Sequence, residues 1–394
     1  MKPRLTLLAL LFPLFLSAQQ LSNAFFDTFE GEMPTHFRYF SGGRGDPLTR
    51  QSGVPSSIEP GTNVVRLTLD TADIAGPAQG PNFVSHKFCH YGTYAARIKL
   101  PNTSAQPRVG AGVGFFTYFN DLYGTGQEQD LNKNGLPDNS EIDFEWLIAA
   151  PKEIYISAYT DYDEATGETR KVSRALNLAQ GRIYGTIYAE WQGAPGTPLK
   201  GDENIPENIA AIPDYDASAR FYTYGFDWHP DRIRWWILHP TENDTVVLWD
   251  YRGPQERITQ KPAYAMFNFW HPDGWPAYSV PGSTQKPQFP FSVEFDWVSY
   301  TPMGATSLQH RTIAKEKRVS LLQSNRERSS WRIPRGSQKV ELYNFLGELL
   351  ITQSIASDEM ELQLEHGVPL RPGHYWAKWS GQWGSEVFPF ALTL

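Results

Sequence analysis

Three carboxylates alternate along one short segment of the chain, at Glu141, Asp143 and Glu145, and the residues between them are apolar. In a β-strand successive side chains point to opposite faces, so the three acids would share one face and the apolar residues the other. At about 3.3 Å per residue the glutamate Cα atoms lie roughly 13 Å apart. Side chains leaning toward each other could bring the carboxyls to the roughly 5 to 5.5 Å used in double displacement at an anomeric carbon.

Repulsion among three neighbouring acids is itself chemically useful. If Glu141 stays ionised to attack a sugar, its charge and that of Asp143 raise the proton affinity of Glu145, which can then protonate a leaving oxygen. The alternative is a solvated strand face without chemistry, because alternating carboxylates also occur on exposed strands. The spacing alone leaves both interpretations open.

The segment Ser140–Leu147 resembles the ExDxE signature of glycoside hydrolase family 16, and further segments resemble the lichenase branch of that family in the same order. About 270 residues are covered by the resemblance. The further segments are Tyr91–Lys99, Gly114–Tyr118, Phe221–Trp228, Asn268–Trp270 and Glu294–Tyr300. Ordered similarity on both sides of the acids favours a catalytic site over a solvated face.

The resemblance implies an all-β fold, a concanavalin-like β-jelly roll sandwich with the cleft on the concave face of one sheet. It also implies roles: Glu141 as nucleophile, Glu145 as general acid/base, and Asp143 as the group that orients and tunes the pair. Flat sugar faces stack on aromatic rings, and hydroxyls bind amides. The residues that it suggests for substrate binding are Phe116, Tyr118, Tyr159, Asn268 and Trp270. Core packing is the alternative for each aromatic residue.

The expected activity is endo-acting, retaining hydrolysis of a β-linked polysaccharide. Mixed-linkage β-1,3-1,4-glucan and β-1,3-glucan are the favoured substrates, and an algal galactan stays open because Asn82, Val84 and Asn139 depart from the lichenase pattern. Inserts at 130–139 and 192–213 could reshape the cleft. The alternatives are a transglycosylase, in which a sugar hydroxyl intercepts the covalent intermediate, a non-catalytic lectin-like protein and a structural surface protein.

Oxygen-bearing side chains precede the first acid in a calcium-loop pattern that ends on Glu141. A carboxylate bound to calcium could not attack a sugar, so we keep the catalytic role for Glu141. A partial loop would use Asp130, Asn132, Asn134 and Asp138, and the alternative is a polar turn without metal. The resemblance suggests a second calcium candidate at Asp296. We expect no cofactor for catalysis, with calcium as a structural ion.

Charge and composition restrict the other partners. The net charge of −8 argues against nucleic acid, which binds basic surfaces. Residues 1–18 are typical of a signal peptide, with Lys2 and Arg4 before an apolar run that is too short for a membrane span. Export would leave the single Cys89 without a partner in its own chain, and we interpret it as a buried small residue.

Strand patterns divide the chain into a catalytic domain at 19–302, a charged linker at 303–338 and a small β-sandwich at 339–394. Segments 339–350 and 370–376 resemble the C-terminal sorting domain of type IX secretion cargo. A carbohydrate-binding or fibronectin-like module is the alternative. The resemblance implies recognition by outer-membrane secretion machinery and a location outside, or on the surface of, a Gram-negative bacterium.

Overall fold

A computed structural model describes most of the chain before residue 303 and the strands of the tail. The described ranges are 21–29, 31–39, 49–70, 80–120, 138–163, 168–191, 194–240, 244–272, 274–303, 320–324, 328–332, 337–344, 349–355, 361–365, 373–381 and 384–392. No helix in these ranges is long and apolar enough to cross a membrane.

The described residues before 303 form strands joined by turns, with two short 3-10 turns at Gly201–Asn204 and Gln255–Arg257. In chain order the strands are β1 (Phe25–Asp27), β2 (Phe37–Tyr39), β3 (Thr49–Pro55), β4 (Asn63–Leu69), β5 (Asn82–Cys89), β6 (Gly92–Lys99), β7 (Gly112–Asn120), β8 (Asp138–Leu147), β9 (Glu153–Asp163), β10 (Glu168–Asn177), β11 (Arg182–Trp191), β12 (Thr197–Pro198), β13 (Tyr222–His229), β14 (Arg232–Leu238), β15 (Thr245–Tyr251), β16 (Ala263–Trp270) and β17 (Phe291–Pro302).

Two large antiparallel sheets are built from these strands. One has eight strands in the order β15-β14-β13-β6-β17-β4-β3, with β1 also paired to β17. The other has nine, in the order β12-β11-β10-β9-β8-β7-β16-β5-β2. The fold class expected from the sequence, an all-β jelly-roll sandwich, is therefore confirmed.

The core lies between the two sheets, where one face of each strand is apolar. Trp146 and Phe144 from β8 are fully buried in one cluster with Tyr224 and Trp235 of the facing sheet. Burying a large apolar side chain contributes about 1.5–3 kcal/mol, and rows of such residues fix which face of each strand is inward. The core therefore also fixes which face of the nine-stranded sheet points outward. We call this outward face of β7, β8, β9, β10 and β16 the acid face.

The insert at 192–213 lies at the edge of the nine-stranded sheet. Its described part contributes β12, which pairs with β11, and Ile205 accepts a backbone hydrogen bond from Asp250 in the other sheet. Three strands separate β12 from β8, so this insert does not lie directly beside the acids. Most of the other insert, 130–139, lies outside the described residues.

The described residues of the tail form a three-stranded and a four-stranded sheet. Their strands are β18 (Ser320–Ser324), β19 (Arg328–Arg332), β20 (Ser337–Asn344), β21 (Leu349–Ser354), β22 (Glu361–Glu365), β23 (Gly373–Gly381) and β24 (Gly384–Leu392). Within the predicted linker at 303–338, the structure describes β18, β19 and the start of β20. Their polar composition resembles a linker, but β19 pairs with β22, and this long-range pairing makes the segment part of the tail.

Candidate active site

Strand β8 places the three acids on the acid face, as the alternation predicted. The residues between them, Ile142 and Phe144, are 0% exposed in the core. Glu141 and Glu145 are half-buried and Asp143 is buried. Because the core holds the apolar side of β8 in place, the three carboxyls are presented outward along a single line.

The neighbouring strands surround the acids with aromatic rings. On β7, Phe116 lies opposite Asp143 and Tyr118 lies opposite Glu141. On the other side, Tyr159 of β9 is also opposite Glu141. Directly opposed side chains have Cβ atoms about 4.5–5.5 Å apart, so Glu141 stands between two tyrosines.

The next strand along, β16, brings the other two predicted substrate residues to the same face. Asn268 lies opposite Gly114 and Trp270 opposite Gly112. A Cβ at Gly114 would lie 2.7 Å from Asn268 Oδ1, so the missing side chain makes room for the amide. Gly114 is in turn opposite Glu145, which puts Asn268 in the same cross-strand row as that acid. All five predicted substrate residues therefore lie half-buried on the acid face, and their binding roles stay predictions.

Specific hydrogen bonds hold the acids. Ser157 Oγ donates to Asp143 Oδ2 at 2.7 Å, and Asn139 Nδ2 donates to Glu141 Oε2 at 3.1 Å. The indole Nε1 of Trp235, in the facing sheet, donates to the backbone oxygen of Asp143 at 3.0 Å. The centre of β8 is thus tied to both sheets, which limits movement of the acids.

Burial and mutual repulsion raise the pKa of all three acids. The pKa of Glu141 rises to about 8, first through burial and then through the charge of Glu145. Burial raises the pKa of Glu145 to about 7. Burial and the two flanking glutamates hold the pKa of Asp143 well above its usual range. The expected asymmetry, a readily ionised Glu141 beside a protonated Glu145, is not what burial by itself produces.

A cation near the acids opposes these shifts. Lys171 of β10 lies with its Nζ 5.4 Å from the ring centroid of Tyr159, and its charge lowers the pKa of Glu141, Asp143 and Glu145. Lys171 lies on β10, a strand that the sequence pattern does not predict. Ser157 could have been found from the sequence, because the two-residue period of β9, counted back from Tyr159, places it on the same face.

The two described calcium candidates face cations. Asp296 accepts from Arg97 Nη1 at 2.6 Å, and Asp138 lies 3.7 Å from Lys261 Nζ. These ammonium and guanidinium groups would repel a metal ion, so neither carboxylate fits a calcium site. Within the ranges that the structure describes, no group of three or more His, Cys, Asp or Glu could hold a metal. Asp130, Asn132 and Asn134 lie outside those ranges.

Cys89 is buried among core residues, as expected from the sequence. Burial raises the pKa of its thiol to about 12. A thiol with so high a pKa stays protonated and is a poor nucleophile or metal ligand.

Comparison with known proteins finds similarity to β-glucanases over part of the chain. No protein-family model matches. The β-glucanase of Brevibacillus brevis is 34% identical over 92 residues, which are 23% of this chain and 30% of the relative. The β-glucanase of Paenibacillus polymyxa is 30% identical over 87 residues, 22% of this chain and 32% of the relative.

Among solved structures, the chain is similar to a prokaryotic β-1,3-1,4-glucanase (lichenase) derived from a mouse hindgut metagenome. It is 16% identical, with a TM-score of 0.42, and the alignment covers 72% of this chain and all of that one. The catalytic domain of an endo-1,3-β-glucanase (laminarinase) from Thermotoga petrophila is 13% identical with a TM-score of 0.41, covering 73% and 100%. The matched segment spans about a third of the length of the curated β-glucanases.

Proposed function

We propose that the protein is an endo-acting, retaining β-glycoside hydrolase whose active site is the acid face of β8. The observation that carries the proposal is the line of Glu141, Asp143 and Glu145, outward on one strand that the core and Trp235 hold in place. The sequence similarity to β-glucanases over 87 to 92 residues supports it. A carbohydrate polymer also suits a face lined with half-buried aromatic rings.

In the proposed reaction the Glu141 carboxylate attacks the anomeric carbon while the bond to the leaving oxygen breaks. Glu145 gives its proton to that oxygen. A water molecule then loses a proton to Glu145 and attacks the same carbon, which releases Glu141 and leaves the configuration unchanged.

Asp143 controls the charge between the two glutamates. Burial and the two flanking glutamates hold its pKa well above the usual range, which favours the protonated, neutral form. A neutral carboxyl at this position spares Glu141 a second neighbouring charge, which makes the nucleophile easier to ionise. The amide of Asn139 and the charge of Lys171 favour the ionised form of Glu141 further.

The substrates that we propose are β-1,3-1,4-glucan and β-1,3-glucan, with an algal galactan as the further candidate. The glucans come first because the curated relatives with similar segments are β-glucanases. Incubation with a panel of β-glucans and galactans, followed by analysis of product length and linkage, decides among them. A rapid early fall in polymer length, with products of many lengths, would indicate internal cleavage.

The mechanism is tested by Glu141→Ala and Glu145→Ala. We expect each substitution to abolish turnover, because one removes the attacking group and the other the proton donor. Azide should restore activity to one of the two variants, giving a glycosyl azide of diagnostic anomeric configuration. Activity like that of the wild type in either variant would end the assignment.

We further propose that residues 1–18 direct export and that the tail is a sorting domain read by outer-membrane secretion machinery. Deleting 305–394 should leave hydrolysis intact and keep the enzyme inside the cell, and normal export of the truncated protein would contradict this.

For calcium we retain only Asp130, Asn132 and Asn134 as ligands. An unchanged melting temperature after exhaustive chelation would refute that proposal.

A further inference from the structure

Two tyrosines form a stacked pair at one end of the acid face. The ring centroids of Tyr184, on β11, and Tyr278, in the loop after β16, are 4.6 Å apart with planes 8° from parallel. Tyr278 is 57% exposed, so much of its ring faces solvent. We call this pair the tyrosine ledge. Tyr155 lies nearly parallel to Tyr278 with centroids 6.1 Å apart, and Trp275 packs edge-on against Tyr155 at 5.1 Å.

One buried carboxylate holds the ledge in place. Glu153 is 0% exposed, and each of its oxygens accepts one hydroxyl and one backbone N–H. Oε1 accepts from the hydroxyl of Tyr184 at 2.7 Å and from Ser279 N at 2.9 Å. Oε2 accepts from the hydroxyl of Tyr155 at 2.8 Å and from Tyr278 N at 3.1 Å. Four donors satisfy the buried charge, and they fix the loop and the rings together.

The ledge lies on the Glu145 side of the site. Tyr155, which contacts Tyr278, is the register partner of Glu145 on the neighbouring strand. The same cross-strand row continues through Ala175 to Gly185, so its side chains become smaller toward β11. A Cβ at Gly185 would have no atom within 4 Å. Open space therefore lies beside Tyr184 on this face of the sheet. Three inter-strand steps of about 4.8 Å separate β11 from β8, and a short polymer chain can span them.

We propose that the tyrosine ledge is a binding site for a neutral pyranose ring of the polysaccharide, beyond the sugars that contact the three acids. A pyranose presents a flat C–H face that stacks on an exposed aromatic ring. The carboxylate anchor means that the ring is already oriented before binding, which reduces the entropy that binding must overcome. This inference rests on the proposed function for its ligand class, and it adds a position at which chain length affects binding.

The experiment uses the full chain with Glu145→Gln, so that polymer is bound without being cleaved, and measures retardation in native gels containing each β-glucan and galactan of the substrate panel. We expect Tyr278→Ala to weaken binding about three- to tenfold, the range of one aromatic contact. Tyr278→Phe keeps the ring and should bind normally. Phe289→Ala is the matched control, because Phe289 is also an exposed aromatic, at 49%, and is not part of the ledge.

Kinetics separate the ledge from the chemistry. In the otherwise unmutated enzyme, Tyr278→Ala should raise KM for long chains three- to tenfold, with the smallest cleavable oligosaccharide unaffected. Equal binding by Tyr278→Ala and Phe289→Ala would overturn the ledge and leave the proposed hydrolysis intact. If the wild type cleaves no glycan, the proposed function is wrong. The native gels still test glycan binding at the tyrosine ledge, because they measure binding without cleavage. Absence of retardation in every glycan gel would overturn the ledge as well.

Discussion

Neutralising the proton donor should stabilise the protein at alkaline pH. Glu145 has a pKa of about 7 in the folded chain, against an ordinary value of 4.5, because burial disfavours its charged form. An acid whose pKa is raised by folding contributes stability below its unfolded pKa, and this contribution is lost as the pH rises through the folded pKa. At 1.36 kcal/mol per unit of pKa, the ionised carboxylate costs the folded state about 3 kcal/mol at pH 8.

The substitution Glu145→Gln removes that cost while keeping nearly the same shape. We expect the variant and the wild type to unfold at the same urea concentration near pH 4.5. The variant should become progressively more stable from pH 5 to pH 8, by up to about 3 kcal/mol, although it is inactive. Tryptophan fluorescence can follow unfolding, since Trp146 and Trp235 are fully buried beside the site.

The control is Glu207→Gln, which removes a solvent-exposed acid. Its free energy of unfolding should stay close to that of the wild type at every pH. The free energies of unfolding of Glu145→Gln and the wild type could instead differ by a constant amount from pH 4.5 to pH 8, or the variant could be less stable at pH 8. Either result would show that burial does not disfavour the ionised form of Glu145.

Two further substitutions test the surroundings of the site. Lys171→Met removes the cation that lowers the pKa of all three acids, so the pH profile of kcat/KM should move to higher pH. Lys171→Arg keeps the charge and should leave the profile in place, and an unmoved profile in the methionine variant would contradict the electrostatic role of Lys171. Arg174→Met removes the donor to Asn204 Oδ1 and to the backbone oxygens of Pro206 and Leu248, which are buried or partly buried. The free energy of unfolding in urea should fall by about 3 kcal/mol, and an unchanged midpoint would show that these bonds contribute little.

The strands of the fold could be predicted where polar and apolar residues alternate regularly along the sequence. The pattern of β8 is local, since every second residue must face the same way, so the sequence predicted both the outward acids and the buried Phe144. The same reasoning failed for β10, where the buried Arg174 interrupts an apolar row. An arginine is expected at the surface, and only its four acceptors from β11, the insert and β15 explain why it can be buried.

Two strands of the tail also could not be predicted from local composition. Segments 320–324 and 328–332 are polar enough to resemble a linker, yet they form strands because β19 pairs with Glu361–Glu365 across the intervening chain. Pairing between segments that are distant in the sequence depends on the whole arrangement of strands, which local composition does not specify.

The sequence by itself determined the three acids and their common face, because the two-residue period of a strand is a local property of the backbone. The aromatic residues beside the acids followed from the family resemblance. The tertiary structure decided what acts on those acids. Lys171 and Ser157 come from other strands of the same sheet, and the register of strand pairing places them near β8. The indole of Trp235 comes from the facing sheet, and the packing of the two sheets brings it to Asp143. Glu153 and Tyr278 are 125 residues apart, and only folding joins them into the ledge.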